Sequence, residues 1–495
     1  MKKSTRWISL FLALCLTLPA LTSCKKAETD ADAAAAPGTT AAAETVPAGE
    51  DAGPADTRTP HAVPQADFDG EEFRSYHGLG YARFYFADDY TGDAMNDAVW
   101  DRTMMVEEHL NVKLTRDRED DYNIQTATIK QLVQAGDDAY QQVLLHCIMG
   151  VAELSSGGYL YNLDTLPCVD FSQPWWNQTQ MDVLRLGNNT YYGVSDFMIP
   201  TPYVIFFNKD MVAEHGMESP YQLVYDGKWT MDAMTGMIET AVRDMDGDGE
   251  FTGSDVWGIY TDEFSKYVSF MSSAGQFISS RDENNRIVLA LNTERTQTIV
   301  EKLYQMTSMT GGAYTEQYMG AETKPVFGEG KTLFFLDALS NAVKLREVEV
   351  DIGILPYPKF DEAQEAYISQ DWGGLMGVPS VMQNDVMVGS VLELLAYFSE
   401  ETTLPAFYDI TLDGKVARDE DSVAMMDIVF DSIAYEIGGN YFGFSEGFAF
   451  LFYTLGLLVI QDKSTNFASY YKTHEKQALQ VIDKFYTDLD YTESQ

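Results

Sequence analysis

The stretch from Asp244 to Asp255 contains acidic residues whose spacing could bind a metal ion. It reads DMDGDGEFTGSD, with acids at the first, third, fifth and twelfth positions of a calcium loop and glycine at the sixth, where the chain must turn sharply. The predicted ligands are Asp244, Asp246, Asp248 and Asp255 through their carboxylates and Glu250 through its backbone carbonyl. Because Asp is shorter than Glu at the last position, the predicted affinity is modest. The sequence predicts a structural calcium ion here, and the alternative is an acidic turn without metal.

The N-terminal residues have the pattern of an export signal. A basic start (MKKSTR) is followed by an uncharged, mostly apolar stretch, Trp7–Leu21, and by small residues before Cys24. The tetrad LTSC at 21–24 matches the lipobox of bacterial lipoproteins, which predicts cleavage before Cys24 and attachment of lipid to that residue. The alternative is an ordinary signal peptide with an incidental cysteine.

The other cysteines and the histidines add no zinc-site spacing. The six histidines are scattered, and His146 adjoins a cysteine, but adjacent side chains on a strand point to opposite faces. If Cys24 carries lipid, Cys147 and Cys168 remain. They form either a disulfide, as an oxidising compartment permits, or two buried free thiols.

Composition and charge exclude two classes of function. The 495 residues include 76 Asp+Glu and 33 Lys+Arg, giving a net charge of −43, and such a surface would repel a nucleic-acid backbone. The apolar stretch 447–460 is shorter than the ~20 residues of a membrane-spanning helix, so we interpret it as a buried core helix. Without a pore of its own, the protein can capture a solute but cannot move it across a bilayer.

The sequence after the signal divides into a tether and a folded body. Residues 24–67 are rich in Ala, Thr and Pro and cannot bury enough surface to offset the entropy of ordering. From residue 68 onward, short β-like runs alternate with helical stretches, which predicts an α/β fold of parallel sheets covered by helices. The predicted strands are 83–87, 143–148, 204–207, 256–260, 333–336 and 352–355, and the predicted helices are 93–110, 230–242, 294–308 and 386–399.

Five segments resemble, in their order along the chain, the extracellular solute-binding proteins of the carbohydrate-uptake class (family 1). They are Tyr203–Asp210 (YVIFFNKD), Gly227–Thr230 (GKWT), Phe327–Leu333 (FGEGKTL), Gly353–Lys359 (GILPYPK) and Gly374–Pro379 (GLMGVP). With the lipobox and the tether, they make the chain look like a substrate-binding lipoprotein of an ABC importer, distantly similar to maltose-binding protein. The resemblance covers residues 68–495.

The resemblance implies a two-lobe periplasmic-binding-protein-like fold of type II, with three hinge crossings and a ligand cleft between the lobes. Such sheets bind ligands outside the carboxyl ends of their strands. The implied crossings lie near 203–208, 355–359 and 400–406. The implied domains are the signal peptide (1–23), the lipidated cysteine and tether (24–67), an N-terminal lobe (68–203 and 359–405) and a C-terminal lobe (204–358 and 406–495).

A sugar site of this kind combines aromatic rings with short polar side chains. A ring packs against the apolar C–H face of a pyranose, while carboxylates accept hydrogen bonds from its hydroxyl groups. Residues of these types beside turns or predicted strand ends are Asp89, Tyr90, Trp175, Trp176, Asp337, Asp371 and Trp372. The alternative for the paired tryptophans is packing, and Trp229, which precedes a helix cap, is interpreted as structural.

The implied function is that of a membrane-anchored extracellular protein that captures a carbohydrate, in particular an oligosaccharide, and delivers it to an ABC permease. The protein is expected to be a monomer without enzymatic activity, held by its lipid on the extracellular face of the bacterial cytoplasmic membrane. The alternatives are a surface glycan-active hydrolase and a ligand-sensing receptor of the same fold. The sequence shows no nucleophile elbow or metallopeptidase helix, which favours binding over hydrolysis.

The lipobox interpretation predicts that Cys24→Ala releases the protein from membranes, because the residue that accepts the lipid is lost. Fractionation of cells that express the two forms measures this. Membrane association that survives the substitution would contradict the lipobox interpretation.

Overall fold

The structure is a computed structural model of the chain. It describes residues 60–63, 66–78, 82–262, 265–316, 327–345, 348–413 and 419–493. The predicted signal peptide, Cys24 and most of the tether lie outside these residues, so lipidation stays a prediction from the sequence. The described residues all belong to one unit of the chain, Pro60–Gln495.

Strands and helices alternate along the described residues, as the sequence predicts. The strands are β1 (Glu71–Gly78), β2 (Val112–Glu119), β3 (Gln142–His146), β4 (Tyr203–Asn208), β5 (Trp257–Asp262), β6 (Ser279–Arg281), β7 (Ile287–Leu289), β8 (Ala313–Glu316), β9 (Thr332–Ala338), β10 (Ile352–Leu355), β11 (Ser369–Gln370), β12 (Gly374–Gly377) and β13 (Ile433–Ala434).

The helices range from single turns to one long C-terminal helix. They are α1 (Ala82–Tyr85), α2 (Ala94–Leu110), α3 (Tyr122–Ala135), α4 (Val151–Ser156), α5 (Gln178–Leu184), α6 (Lys209–Glu214), α7 (Pro220–Tyr225), α8 (Met231–Ala241), α9 (Ser269–Ser273), α10 (Glu294–Ser308), α11 (Asp385–Glu401), α12 (Thr403–Asp413), α13 (Glu420–Asp431), α14 (Ile437–Phe442), α15 (Phe448–Phe452) and α16 (Phe467–Glu493). A π-helical segment, Leu455–Gln461, follows α15, so the stretch 447–460 is largely helical and buried, as predicted.

The first sheet has the order β12-β3-β1-β2. Strand β1 is parallel to β2 and β3, whereas β12 is antiparallel to β3 and pairs Gly374 with His146. Strand β1 was missed in the sequence because it buries polar side chains, among them Ser75, whose hydroxyl donates to Gln142 Oε1 at 2.7 Å. When buried positions carry polar residues, the alternation of apolar and polar residues that indicates a strand is not visible in the sequence.

The second sheet has the order β10-β4-β9-β5-β8. Strand β5 is parallel to β8 and β9, and β4 is antiparallel to both β9 and β10. The sheet is buried on both faces, because Val204 and Phe206 belong to one hydrophobic cluster and Ile205 and Phe207 to another. Both sheets are therefore mixed, and the expectation of purely parallel sheets is wrong.

The predicted strand at 83–87 is also wrong, because residues Ala82–Tyr85 form α1. A short apolar run does not distinguish a strand from a buried helix.

Helix starts with a capping side chain were predicted well. Asp93 accepts a hydrogen bond from Asn96 N and begins α2, and Thr230 accepts one from Ala233 N and begins α8, as expected for N-cap residues.

The chain passes from the first sheet to the second between β3 and β4, and back between β10 and β12. Near the second implied passage, Lys359 bonds to Trp229 through its backbone, and residues 371–373 lead directly into β12. The C-terminal helix α16 packs on both α4 and α10, which come from different implied lobes. The domain boundaries as a whole stay predictions.

Among the described helices, none has the length and apolarity needed to span a membrane.

Trp229 is a packing residue, as the sequence indicated. Its ring is fully buried and lies 5.6 Å from the ring of Phe334, and its indole N–H donates to the carbonyl of Pro356 at 2.9 Å. The side chain therefore joins the segment before α8 to the segment after β10.

Trp229→Ala is expected to lower the free energy of unfolding by about 3 to 5 kcal/mol, because a large cavity replaces the ring. Chemical denaturation monitored by circular dichroism measures this change. Trp100→Ala is the control, since Trp100 is only half-buried and its removal should cost less. Equal losses in the two variants would contradict the packing role.

Candidate functional site

The carboxyl edge of the second sheet brings together side chains from three strands. Strands β5 and β9 are parallel and end at this edge, while β4 is antiparallel to β9 and begins there, with Tyr203 paired to Ala338. Asp262 is the last residue of β5, and Asp337 is near the end of β9. Tyr203, Asp262 and Asp337 therefore lie close together although they are far apart in sequence.

Lys266 lies at the centre of this group. Its Nζ is 3.0 Å from Asp262 Oδ2 and 3.9 Å from Asp337 Oδ1, and it lies 4.9 Å from the centre of the Tyr203 ring. Only 16% of the Lys266 side chain is exposed. We call Tyr203, Asp262, Lys266 and Asp337 the Lys266 cluster.

The Lys266 ammonium keeps its charge at neutral pH. Burial alone would lower the pKa of Lys266, but the electrostatic interactions with Tyr203, Asp262 and Asp337 outweigh it and raise that pKa well above the usual value. The backbone carbonyl of Lys266 also accepts a hydrogen bond from Tyr357 Oη at 3.1 Å. The cluster thus combines one fixed hydrogen-bond donor, two carboxylates and an aromatic ring.

The carboxyl edge of the first sheet meets this edge of the second. Strand β3 ends at His146 and is followed by Cys147, and β12 begins at the same edge, directly after residues 371–373. Asp371 pairs with Pro202 in an isolated antiparallel bridge, and Pro202 immediately precedes Tyr203. Both carboxyl edges therefore face the region around Pro202 and Asp371.

Three of the predicted ligand-binding residues lie at or near these edges. Asp337 belongs to the Lys266 cluster, where its Oδ1 also accepts a hydrogen bond from Asn341 Nδ2 at 3.1 Å. Asp371 is buried at the bridge. Trp372 is also buried, and its ring lies 5.1 Å from the ring of Phe452 in an edge-to-face contact. Their roles toward a ligand stay predictions.

Trp175 and Trp176 lie in the interior, where both indole N–H groups donate to Glu393. The distances are 3.2 Å from Trp175 Nε1 to Oε1 and 2.9 Å from Trp176 Nε1 to Oε2. Burial raises the pKa of Glu393 to about 7, although these hydrogen bonds partly offset it. The contacts match the packing alternative for the pair, and a role in the cleft stays a prediction.

Asp89 and Tyr90 are exposed on the surface, in the segment that follows α1. Tyr90 is 57% exposed, its hydroxyl donates to Asp101, and Asp89 Oδ1 accepts a hydrogen bond from Tyr90 N. They were selected because a strand was expected at 83–87, and that strand is absent, since α1 occupies the segment. The structure does not bring them to the Lys266 cluster.

Sequence reasoning missed Lys266, Asp262 and Tyr203 as site residues. Asp262 follows a predicted strand in the same way as Asp337, so the strand-end argument could have found it. Lys266 gave no signal, because its partners Tyr203 and Asp337 come from distant parts of the chain and meet only through strand pairing.

The disulfide alternative for Cys147 and Cys168 is wrong in this structure. Both residues are free thiols, with Cys147 buried and Cys168 partly exposed. Burial raises the pKa of the Cys147 thiol well above its usual value, which makes it unreactive toward oxidation. The free-thiol alternative is the one that the structure contains.

The acidic loop connects the end of α8 to β5, as the sequence predicts. A two-residue bridge between Arg243 and Val256 closes it. Carboxylate oxygens of Asp244, Asp246 and Asp255 lie within 4.8 Å of one another, so that one ion could contact all three.

The carboxylate of Asp248 is not among these three, and the backbone carbonyl of Glu250 is a different kind of ligand. The carboxylate of Asp248 accepts a hydrogen bond from Glu250 N at 2.7 Å, and ligation through the Glu250 carbonyl stays a prediction. Gly249, at the sixth position of the loop, has a φ of 83°, a value that favours glycine.

The electrostatics of the loop show crowding of negative charge. The hydrogen bond from Asp248 N lowers the pKa of Asp246, but burial and the charges of Asp248, Asp255 and Asp244 together raise it. By contrast, hydrogen bonds from Thr252 N and Met245 N lower the pKa of Asp255. A divalent cation would relieve the repulsion, because the charge of a bound ion dominates its site.

Comparison with known proteins gives the fold. No protein-family model matches the sequence, and no curated protein sequence matches it closely enough to count as a relative. Among solved structures, the ABC substrate-binding protein Lmo0181 of Listeria monocytogenes, in complex with cycloalternan, has a TM-score of 0.58 at 12% identity, over 84% of this chain and 100% of that one. The GacH receptor of Streptomyces glaucescens, solved unliganded and with acarbose, has a TM-score of 0.54 at 14% identity, over 85% and 99%. The predicted two-lobe α/β fold class is confirmed.

Proposed function

We propose that this protein is a substrate-binding protein that captures a carbohydrate and delivers it to an ABC importer. The observation that carries the proposal is the meeting of the two carboxyl edges at Pro202 and Asp371, with the Lys266 cluster beside them. Ligands of α/β sheets bind at such edges. The fold supports the proposal, because it is shared with proteins solved in complex with cycloalternan and with acarbose.

The Lys266 cluster suits a neutral polyhydroxylated ligand. Asp262 and Asp337 can accept hydrogen bonds from hydroxyl groups, the Lys266 ammonium can donate to them, and the Tyr203 ring offers an apolar face. With one ammonium against two carboxylates, and a net charge of −43 on the whole chain, an anionic ligand is disfavoured. The proposed ligand is therefore a neutral or weakly charged oligosaccharide, bound without being transformed.

The proposal includes the location of the protein. The lipobox at 21–24 and the Ala/Thr/Pro-rich tether support a monomer that is anchored by lipid at Cys24 on the extracellular face of the bacterial membrane. There it would hand its ligand to the permease subunits. The closed state of a two-lobe binding protein is the form that such a permease can recognise.

The test of the function is binding of neutral oligosaccharides to the purified protein, measured by calorimetry, with compaction measured by small-angle scattering. Asp337→Asn is expected to weaken binding on the order of tenfold, because a charged hydrogen-bond acceptor is lost. Asp226→Asn is the control, since Asp226 is partly exposed and pairs with Lys228, and its affinity should be unchanged.

Equal affinity in the wild type and Asp337→Asn would show that the Lys266 cluster is not the binding site. Release of shorter sugars during the titration would favour the hydrolase alternative. Failure of every neutral oligosaccharide to bind would contradict the proposed function.

We further propose that the acidic loop binds one structural calcium ion through Asp244, Asp246 and Asp255. The convergence of these carboxylates supports it. An ion there would join the end of α8 to β5 and stabilise this part of the second sheet.

Removal of metal by a chelator is expected to lower the melting temperature, because the ion binds only the folded loop. Asp246→Asn should abolish that sensitivity, whereas Asp248→Asn should keep it if only the three convergent carboxylates bind the ion. If both variants lose the sensitivity of their melting temperature to the chelator, Asp248 is also a ligand, as the sequence predicted. A melting temperature that does not change on complete metal removal would contradict a structural site.

A further inference from the structure

The two passages of the chain between the sheets lie side by side. The first ends at Pro202, directly before β4 of the second sheet, and the second ends at Gly373, directly before β12 of the first sheet. The bridge between Pro202 and Asp371 joins them. A change in the angle between the sheets has to bend these two segments, and the bridge joins them at the point where they would bend.

The carboxylate of Asp371 holds both passages. Its Oδ1 accepts a hydrogen bond from Thr201 N, on the first passage, at 2.7 Å. Asp371 itself lies on the second passage, and the neighbouring backbone N–H groups of Gly373 and Trp372 lower the pKa of its carboxyl group. Gly373 is close to it, since a Cβ atom there would lie 2.9 Å from Asp371 Oδ2.

The surroundings of Asp371 favour this role over contact with a ligand. Its side chain is buried, and in the described part of the chain it forms no ion pair. Burial raises the pKa values of Tyr85, Cys147 and Tyr435, and the charge of Asp371 raises them further, so its neighbours are weak acids rather than bases. Burial raises the pKa of Asp371 itself to about 6, even though the backbone hydrogen bonds lower it. A buried carboxylate in such a place is costly unless its hydrogen bonds are kept.

We propose that Asp371 is a positioning residue, which fixes the two passages against each other and so sets the angle between the two sheets. Contacts with a ligand are left to the Lys266 cluster. This replaces the ligand-binding role predicted for Asp371 from the sequence. The inference rests on the proposed function only in assuming that the sheets move on binding, because the contact with Thr201 exists without a ligand.

Pulsed electron paramagnetic resonance tests this through the distance between two spin labels on the ligand-free protein. Suitable positions are Gln131 on α3 and Glu239 on α8, which are both exposed. Helix α3 packs on β1 and β2, and helix α8 packs on β5, so the labels follow the two sheets. The background carries Cys168→Ser, since Cys168 is partly exposed and Cys147 is fully buried.

Asp371→Ala and Asp371→Asn are expected to broaden the distribution of label distances by about twofold, because the passages are no longer held together. Gly373→Ala displaces the same carboxylate without changing Asp371 and should broaden it to a smaller extent. Glu393→Gln is the control, because Glu393 is also a buried carboxylate with a raised pKa but is bonded to Trp175 and Trp176 instead of to Thr201 beside the bridge. It should lower the melting temperature and leave the distance distribution unchanged.

Unchanged distances in a folded Asp371 variant would overturn the proposal, and so would equal broadening in Glu393→Gln. Affinity for a neutral oligosaccharide is measured separately on the same variants. Broadened distances in a protein that binds no sugar would support the positioning role and contradict the proposed function. Lost affinity with unchanged distances would make Asp371 a ligand contact instead.

Discussion

The direction of the strands is the constraint on which the rest of the structure depends. In each sheet the parallel strands end at one edge. The antiparallel strand of that sheet, β12 beside β3 or β4 beside β9, begins at the same edge. The two passages of the chain therefore start and finish at the carboxyl edges. Side chains from distant segments, such as Asp262 and Asp337, come together there without any local sequence motif. The same geometry brings Asp371 within hydrogen-bond distance of Thr201.

The sequence predicted local features better than contacts. Helix α2 and strand β10 were predicted closely because capping and apolar runs are local signals. The strand at 83–87 was wrong because four or five apolar residues do not fix a period. Asp337 was selected correctly as a strand-end residue, but its partner Lys266 was not, since their meeting depends on the order of strands in the sheet. Asp371 was selected as a short polar residue beside an aromatic one, a signal that does not distinguish a ligand contact from a contact between backbone segments.

Three buried carboxylates share an unusual environment. Asp371, Glu393 and Glu436 accept hydrogen bonds from backbone or indole N–H groups, and in the described part of the chain none of them forms an ion pair. With 33 Lys+Arg against 76 Asp+Glu, cations are scarce in this protein. Dipoles therefore stabilise these three interior carboxylates, whereas the buried Asp262 forms an ion pair with Lys266. A substitution that removes such a donor leaves a buried acceptor unsatisfied, which is costly.

The pairing of β12 with β3 has a consequence for the order in which the protein folds. All five strands of the second sheet, from β4 to β10, are synthesised between these two neighbouring strands. The first sheet cannot be completed until that long segment has left the ribosome, and contacts of such large sequence separation form slowly. The N-terminal half of the chain therefore has no complete sheet to form early, and the pairing of β12 with β3 is expected to be a late step of folding.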